Sequence, residues 1–303
     1  RRVYPEVAGT PPEAAATEAK EAARDGQAPL ADQARFTIVA TSSGAPSVRD
    51  AAAGEVMHPV IGAAVEAERL YAAQSRLAER LAGDGPPLVL FDVGLGAAGN
   101  ALAAVRAARA ARSAGPCRPL QVVSFERELG ALALACTDDG AARLGWSAQD
   151  LAAARAVLGG GRHEEPGVAW RLVAGEAPAS LAGVPELADV VFWDPFSPKA
   201  NPELWTVAAF AALRARCAPG CTLFTYSTAT ATRSALLLAG FHVGVGDPSG
   251  PKEETTAAAV PPAAPARPLD ARWLARLARS SAAWPPDAPP DALDRVRAHP
   301  QFR

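Results

Sequence analysis

Seven short apolar runs, at residues 88–92, 121–126, 169–174, 189–194, 222–226, 241–245 and 255–260, punctuate most of this chain. Helix-patterned segments at 100–113, 129–144, 202–216 and 229–239 lie between them. Such alternation is best buried as a mostly parallel sheet wound with helices on both faces. Only a Gly/Pro-rich loop, 246–252, joins the last two runs, so the seventh strand is expected to lie antiparallel beside the sixth. The predicted class is a Rossmann-like α/β fold with a seven-stranded sheet and an antiparallel last strand.

The first run ends in an acid and then in glycines, Asp92-Val-Gly94-Leu-Gly96-Ala-Ala-Gly99-Asn100. Glycines at 94 and 96 permit a tight turn and a close-approaching ligand. The next helix presents its N-terminal N–H groups to the same place. Gly94, Gly96 and Gly99 also satisfy the dinucleotide spacing G-x-G-x-x-G. Two features argue against a nicotinamide cofactor. The acid expected about 20 residues on is replaced by Glu126, after a long helix and a Pro-containing loop. Asp92 would repel a diphosphate and attract a cation. S-adenosylmethionine carries a sulfonium and an ammonium and no phosphate, and fits better. The bland alternative is a buried strand with a packing turn.

With 303 residues, 49% of them hydrophobic, the chain suits one large domain with appendages. Four units are expected: a loose tail at 1–34, a strand and helix segment at 35–84 that covers the cofactor site, a core at 85–262, and a Pro/Ala/Arg-rich extension at 263–303. No stretch has the roughly 20 apolar residues of a membrane span, and residues 1–26 do not read as a leader. The cysteines, at 117, 136, 217 and 221, form no ligand spacing, so no metal is expected and a cytoplasmic setting fits. A net charge of −2 makes any nucleic-acid contact a local matter.

Polar groups recur where strands end, which is where such sheets bind ligands. They are Asp92, Glu126, Glu176 and Asp194. Glu126 is expected on the ribose hydroxyls, Asp92 on the methionine side and Glu176 near the adenine amino group. The fourth strand runs into Asp194-Pro-Phe196-Ser-Pro-Lys-Ala-Asn201-Pro-Glu-Leu-Trp205. An acid followed by proline and an aromatic suits transfer to a nitrogen. Asp194 would accept a hydrogen bond from the N–H and aim the lone pair, Phe196 would pack on a base, and the prolines would stiffen the loop. Helix initiation, with Asn201 as cap and Pro202 in the first turn, explains part of the motif but not Asp194.

This motif resembles the signature of the MnmC-type tRNA (5-methylaminomethyl-2-thiouridine) methyltransferases. Ser124-Phe-Glu126-Arg127, the segment 218–227, Gly240-Phe241 and 252–256 resemble other parts of that family. Gly54-Glu55, Met57-His58, Gly62 and Glu66 resemble the segment that closes over its cofactor, which puts Met57 and His58 with Gly94, Gly96 and Asn100 among the cofactor contacts. The likeness covers about 36–260; Glu176 stands where Asp is usual. Bifunctional members also carry an FAD-dependent oxidase domain, which is not expected within these residues.

The resemblance implies a class I methyltransferase that moves a methyl group from S-adenosylmethionine to the 5-aminomethyl group of a tRNA wobble uridine. Its partners would be tRNA and the enzyme that installs the amine. Whether Asp194 is a base or only orients the amine stays open, and Tyr226 and Ser227 either border the uracil or belong to the core. Alternatives are another amine substrate, an aminopropyltransferase, an NAD-dependent oxidoreductase, or a non-catalytic RNA-binding module. In the extension, Asp270 is placed to cap a helix with Arg272, Arg276 and Arg279 on one face and Trp273, Leu274 and Leu277 on the other. That basic face either contacts phosphates or is simply solvated.

Overall fold

A computed structural model describes residues 35–58, 60–248 and 253–303. The predicted tail at 1–34 and part of the last hairpin loop, including Lys252, lie outside the described residues. A small antiparallel sheet comes first, with strands β1 (Phe36–Ala40), β2 (Pro46–Asp50) and β3 (Glu55–Val56). The main sheet follows: β4 (Leu88–Val93), β5 (Leu120–Glu126), β6 (Arg162–Glu165), β7 (Val168–Ala174), β8 (Ala188–Trp193), β9 (Cys217–Thr225), β10 (His242–Gly246) and β11 (Thr255–Ala259).

The order across it is β10-β11-β9-β8-β4-β5-β7-β6. All seven expected strands are present. β11 lies antiparallel to both β10 and β9, as the short connection demands. An eighth strand, β6, adds an antiparallel edge beside β7. Its Arg-His-Glu-Glu sequence carries no apolar alternation. It is held by the β7 ladder and by Arg109, whose guanidinium makes two bonds to Glu165 at 2.8 and 3.0 Å.

Alternating side chains divide the core between the two sheet faces. Phe91 and Val93 of β4, with Val191 and Trp193 of β8, pack on the side of Phe210, Leu236 and Trp273. Leu88, Leu90, Val190 and Phe192 pack on the other side with Leu70, Tyr71, Leu102 and Val105. The segment 60–81 is not one regular helix. It is helical at Ala63–Glu66, widens to a π-helix at Ala67–Ala73, breaks at Arg76 (φ 53°) and resumes at Leu77–Leu81. The widened turns bury Leu70, Tyr71 and Ala72 consecutively.

The pattern at 129–144 also divides, into Gly130–Ala135 and Asp138–Arg143, because the Thr137 hydroxyl accepts from Gly140 N and starts a new helix. Thr206 does the same after the 3₁₀ turn Pro202–Trp205. The C-terminal segment packs on the β10 edge, where Gln301 bonds both backbone groups of Val243 and the Leu269 carbonyl. Its helix Ala271–Leu277 is capped by Asp270, with Trp273 and Leu277 buried and Arg272, Arg276 and Arg279 exposed. Among the described residues no helix is long and apolar enough to cross a membrane.

Candidate active site

Strand order reverses between β4 and β8, the place where open α/β sheets form their crevice. The two chains nearly touch as they leave the sheet, with Asp194 N donating to Val93 O at 2.9 Å. A Cβ on Gly94 (φ +89°) would lie 2.7 Å from the Asp194 carbonyl oxygen and 2.8 Å from Pro195 N. Glycine is thus fixed there by sterics as well as by conformation. A cavity of about 990 Å³ opens at this point. Nine of the ten predicted site residues line it, and Asp92 does not.

On one side the wall is backbone. Glu126 accepts from the N–H of Gly96 at 3.0 Å through one oxygen, and from those of Arg127 (2.9 Å) and Glu128 (3.0 Å) through the other. Burial raises its pKa, and these three bonds oppose the shift. Met57 lies against Gly96, whose added Cβ would meet its sulfur at 3.1 Å. Ala98 opens the next helix in the left-handed region (φ 60°, ψ 18°), a conformation that costs a non-glycine residue roughly 1–2 kcal/mol. This open glycine cradle beside a fixed carboxylate suits a ribose-bearing cation.

Asp92 stands behind that wall, fully buried. Ser124 donates to its Oδ2 at 2.8 Å, and Trp170 donates in turn to the Ser124 hydroxyl at 2.9 Å. Its Oδ1 has no partner among the described residues. Burial pushes the Asp92 carboxyl up to about 7; Ser124 opposes this and the Asp194 and Glu126 charges add to it.

On the other side the wall is made of charges. Asn100 Nδ2 donates to Asp194 Oδ2 at 2.7 Å. His58 bridges two carboxylates, with Nε2 3.6 Å from Asp194 Oδ2 and Nδ1 3.6 Å from Glu66 Oε2. Burial lowers the His58 pKa, but Asp194 and Glu66 outweigh it and hold the value at about 9. Asp194 is pushed by burial to about 6, with His58 pulling downward and Glu66 upward. Burial, reinforced by the Asp194 charge, raises the Tyr71 phenol well above its ordinary value.

Phe196 lines the cavity, and its carbonyl accepts from Trp205 Nε1 at 2.9 Å. Tyr226 lines it too and donates to Pro195 O at 3.0 Å, whereas Ser227 is buried and bonded to Thr232. Glu176 sits exposed at the rim, 3.4 Å from Arg127, which also pairs with Glu203 at 3.3 Å. The N-terminal sheet is pinned to the motif loop by Glu55, which accepts from both the backbone N–H and the hydroxyl of Ser197.

Neither Tyr71 nor the Glu55–Ser197 clamp stands out in the sequence, and the resemblance gives Glu66 no role of its own. Glu66 did carry a signal: a carboxylate one turn before Leu70, on the buried stripe of an alanine-rich helix.

Residues 159–261 match the model of a family described as S-adenosyl-L-methionine-dependent methyltransferase. MnmC of Methylibium petroleiphilum, a protein named for tRNA 5-methylaminomethyl-2-thiouridine biosynthesis and described as bifunctional, is 30% identical over 238 residues, 75% of this chain and 35% of that protein. MnmC of Pseudomonas paraeruginosa is 32% identical over 231 residues, 70% of this chain and 33% of the relative. The chain thus spans about a third of the length of these curated relatives. The crystal structure of MNMC2 from Aquifex aeolicus matches with a TM-score of 0.67 at 24% identity, over 86% of this chain and 84% of that one, and shares the fold. The chain is an S-adenosyl-L-methionine-dependent methyltransferase by its family match, and over about three quarters of its length it is similar to part of the MnmC proteins.

Proposed function

We propose that this protein methylates the 5-aminomethyl group on the wobble uridine of tRNA. The observation that carries this reading is the 2.7 Å bond from Asn100 to Asp194. It ties the glycine turn to the acid of the Asp-Pro-Phe motif, so cofactor and acceptor would meet in one cavity. The bound cofactor would supply an electrophilic methyl group on a sulfonium. Gly94, Gly96, Asn100, Met57 and Glu126 would hold it, with Glu126 toward the ribose hydroxyls, Glu176 toward the adenine and Asp92 acting through its charge.

Asp194, largely ionised at neutral pH, accepts hydrogen bonds from the incoming nitrogen and sets its direction of attack. Positioning of this kind supplies most of the rate in an in-line displacement. Phe196 and Tyr226 offer aromatic surface to a uracil. The names of the curated relatives support this acceptor. tRNA is the partner in this reading, together with the enzyme that installs the amine, in a cytoplasmic setting. Arg272, Arg276 and Arg279 offer an exposed surface to phosphates. Its signature is tRNA binding whose salt dependence flattens when all three become Gln.

The test is methyl transfer from labelled cofactor to tRNA bearing 5-aminomethyl-2-thiouridine. The expected product is the 5-methylaminomethyl nucleoside. Cofactor binding without transfer to any amine-bearing tRNA would overturn the assignment.

A further inference from the structure

An alkylamine resembles lysine, with a pKa of about 10.4, so the acceptor enters as an ammonium that has no lone pair to attack with. At neutral pH a group in the cavity that takes this proton would spare the reaction from waiting on the small neutral fraction. Tyr71 and Tyr226 are phenols pushed well above their ordinary values by burial and so stay protonated. Asp194 is engaged by Asn100 and is needed as the acceptor that aims the nitrogen.

We propose that His58, held between Glu66 and Asp194, takes the proton from the acceptor ammonium while Asp194 orients the amine. This rests on the amine acceptor argued above. It moves His58 from the cofactor side, where the family resemblance puts it, to the acceptor side.

The geometry is specific. An ammonium donating to Asp194 at about 2.8 Å comes within reach of His58 Nε2, which stands 3.6 Å from the same carboxylate oxygen. The far ring nitrogen faces Glu66, a buried residue whose own N–H is bonded to Gly62 O. The segment leading into the histidine is pinned at two points: Ser47 donates to the Met57 carbonyl, and Glu55 accepts from Ser197. His58 itself is held at φ 52°, in the left-handed region. Such conformations in non-glycine residues gather at functional sites because surrounding contacts must enforce them. The charged groups against the ring are Glu66 from the helical segment and Asp194 from the end of β8; Asn100 bonds Asp194, Tyr71 and Tyr226 interact with both carboxylates, and Tyr226 also senses Glu55.

The proton account closes. Before substrate enters, the two carboxylates keep His58 cationic. A sulfonium and an ammonium nearby both disfavour that charge, and the histidine releases its proton to solvent. Neutral Nε2 then takes a proton from the ammonium. The freed lone pair forms the N–C bond as the C–S bond breaks and its electron pair goes to sulfur. The products are a secondary ammonium, a neutral thioether and the proton on His58.

The experiment measures single-turnover transfer to tRNA bearing 5-aminomethyluridine, at saturating cofactor, from about pH 6 to 9.5, with cofactor affinity measured by calorimetry. His58→Asn tolerates the left-handed backbone but removes the ring. Its rate at pH 7 should fall at least ~100-fold, with the deficit narrowing as the amine loses its proton unaided at high pH. Cofactor affinity should stay within a few-fold. Glu66→Gln removes one of the two charges that favour the imidazolium, so the acidic limb of the rate profile should move to lower pH. A His58→Asn variant with the wild-type profile, or with an equal loss at every pH, would overturn the proposal. If that variant does not fold, an unmoved acidic limb in Glu66→Gln would do so. A wild-type chain that binds cofactor but methylates no amine would instead sink the functional reading and this proposal with it.

Discussion

The two halves of the cavity are held by different forces. On the proposed cofactor side the fixing groups are backbone: three N–H groups aim the Glu126 carboxylate, and the Gly94 turn lies under the Asp194–Pro195 peptide. On the proposed acceptor side, charges position charges. His58, Glu66 and Asp194 come from three separate segments and meet where little water reaches them. A backbone cradle is set by local turn chemistry. A buried ion cluster depends on tertiary assembly, and each member's protonation depends on the others.

The cradle breaks by sterics. Gly94→Ala combines a Cβ inside backbone contact distance with an unfavourable φ. Overpacking and left-handed strain together should cost about 3 kcal/mol or more. A thermal midpoint and cofactor affinity like the wild type's would show that the two strand ends separate freely.

The cluster breaks by pH. The folded His58 value, about 9, lies above its ordinary 6.5, so the stabilisation is complete below about 6.5 and is lost as pH rises through about 9. Asp194, raised from 3.8 to about 6, has the same sign. Its contribution is complete below 3.8 and lost as pH rises through about 6. Denaturant unfolding should therefore show stability falling between pH 6.5 and 9 by up to about 3 kcal/mol, and His58→Asn should remove most of that slope. An unchanged alkaline slope in the variant would place its origin elsewhere.

A smaller effect sharpens the contrast. Glu126→Ala takes a charged acceptor from the proposed ribose contact, each bond of that kind being worth roughly 1.5–3 kcal/mol. Calorimetry should show cofactor affinity weakened by about tenfold or more. Unchanged affinity would remove Glu126 from the contact.

What the sequence made legible follows the same division. Strand alternation, the glycine turn and the acids at strand ends are local patterns, and the sheet repeats them in order. β6 stayed hidden because its register comes from β7 and Arg109 rather than from apolar alternation. The helix Ala148–Gly160 falls outside the helix-patterned segments, although Ser147 and Asp150 form a capping box that marks its start. Thr137 and Thr206 fall inside the patterned segments 129–144 and 202–216, yet both side chains restart helices. On the acceptor side Asp194 was legible because its loop carries a motif. The Glu66 and Tyr71 contributions were not, since a carboxylate and a phenol on one helix reveal no partner until the chain has folded.

Asp194→Asn tests most directly whether the acceptor acid is separate from the cofactor cradle. Asparagine keeps the shape and an oxygen for Asn100 but loses the charge. Calorimetry should find S-adenosylmethionine affinity within a few-fold of wild type, while single-turnover transfer to tRNA bearing 5-aminomethyluridine falls at least ~100-fold. Near-normal transfer would reduce Asp194 to an anchor of its loop, and a matching collapse of cofactor affinity would show that the two halves are one unit.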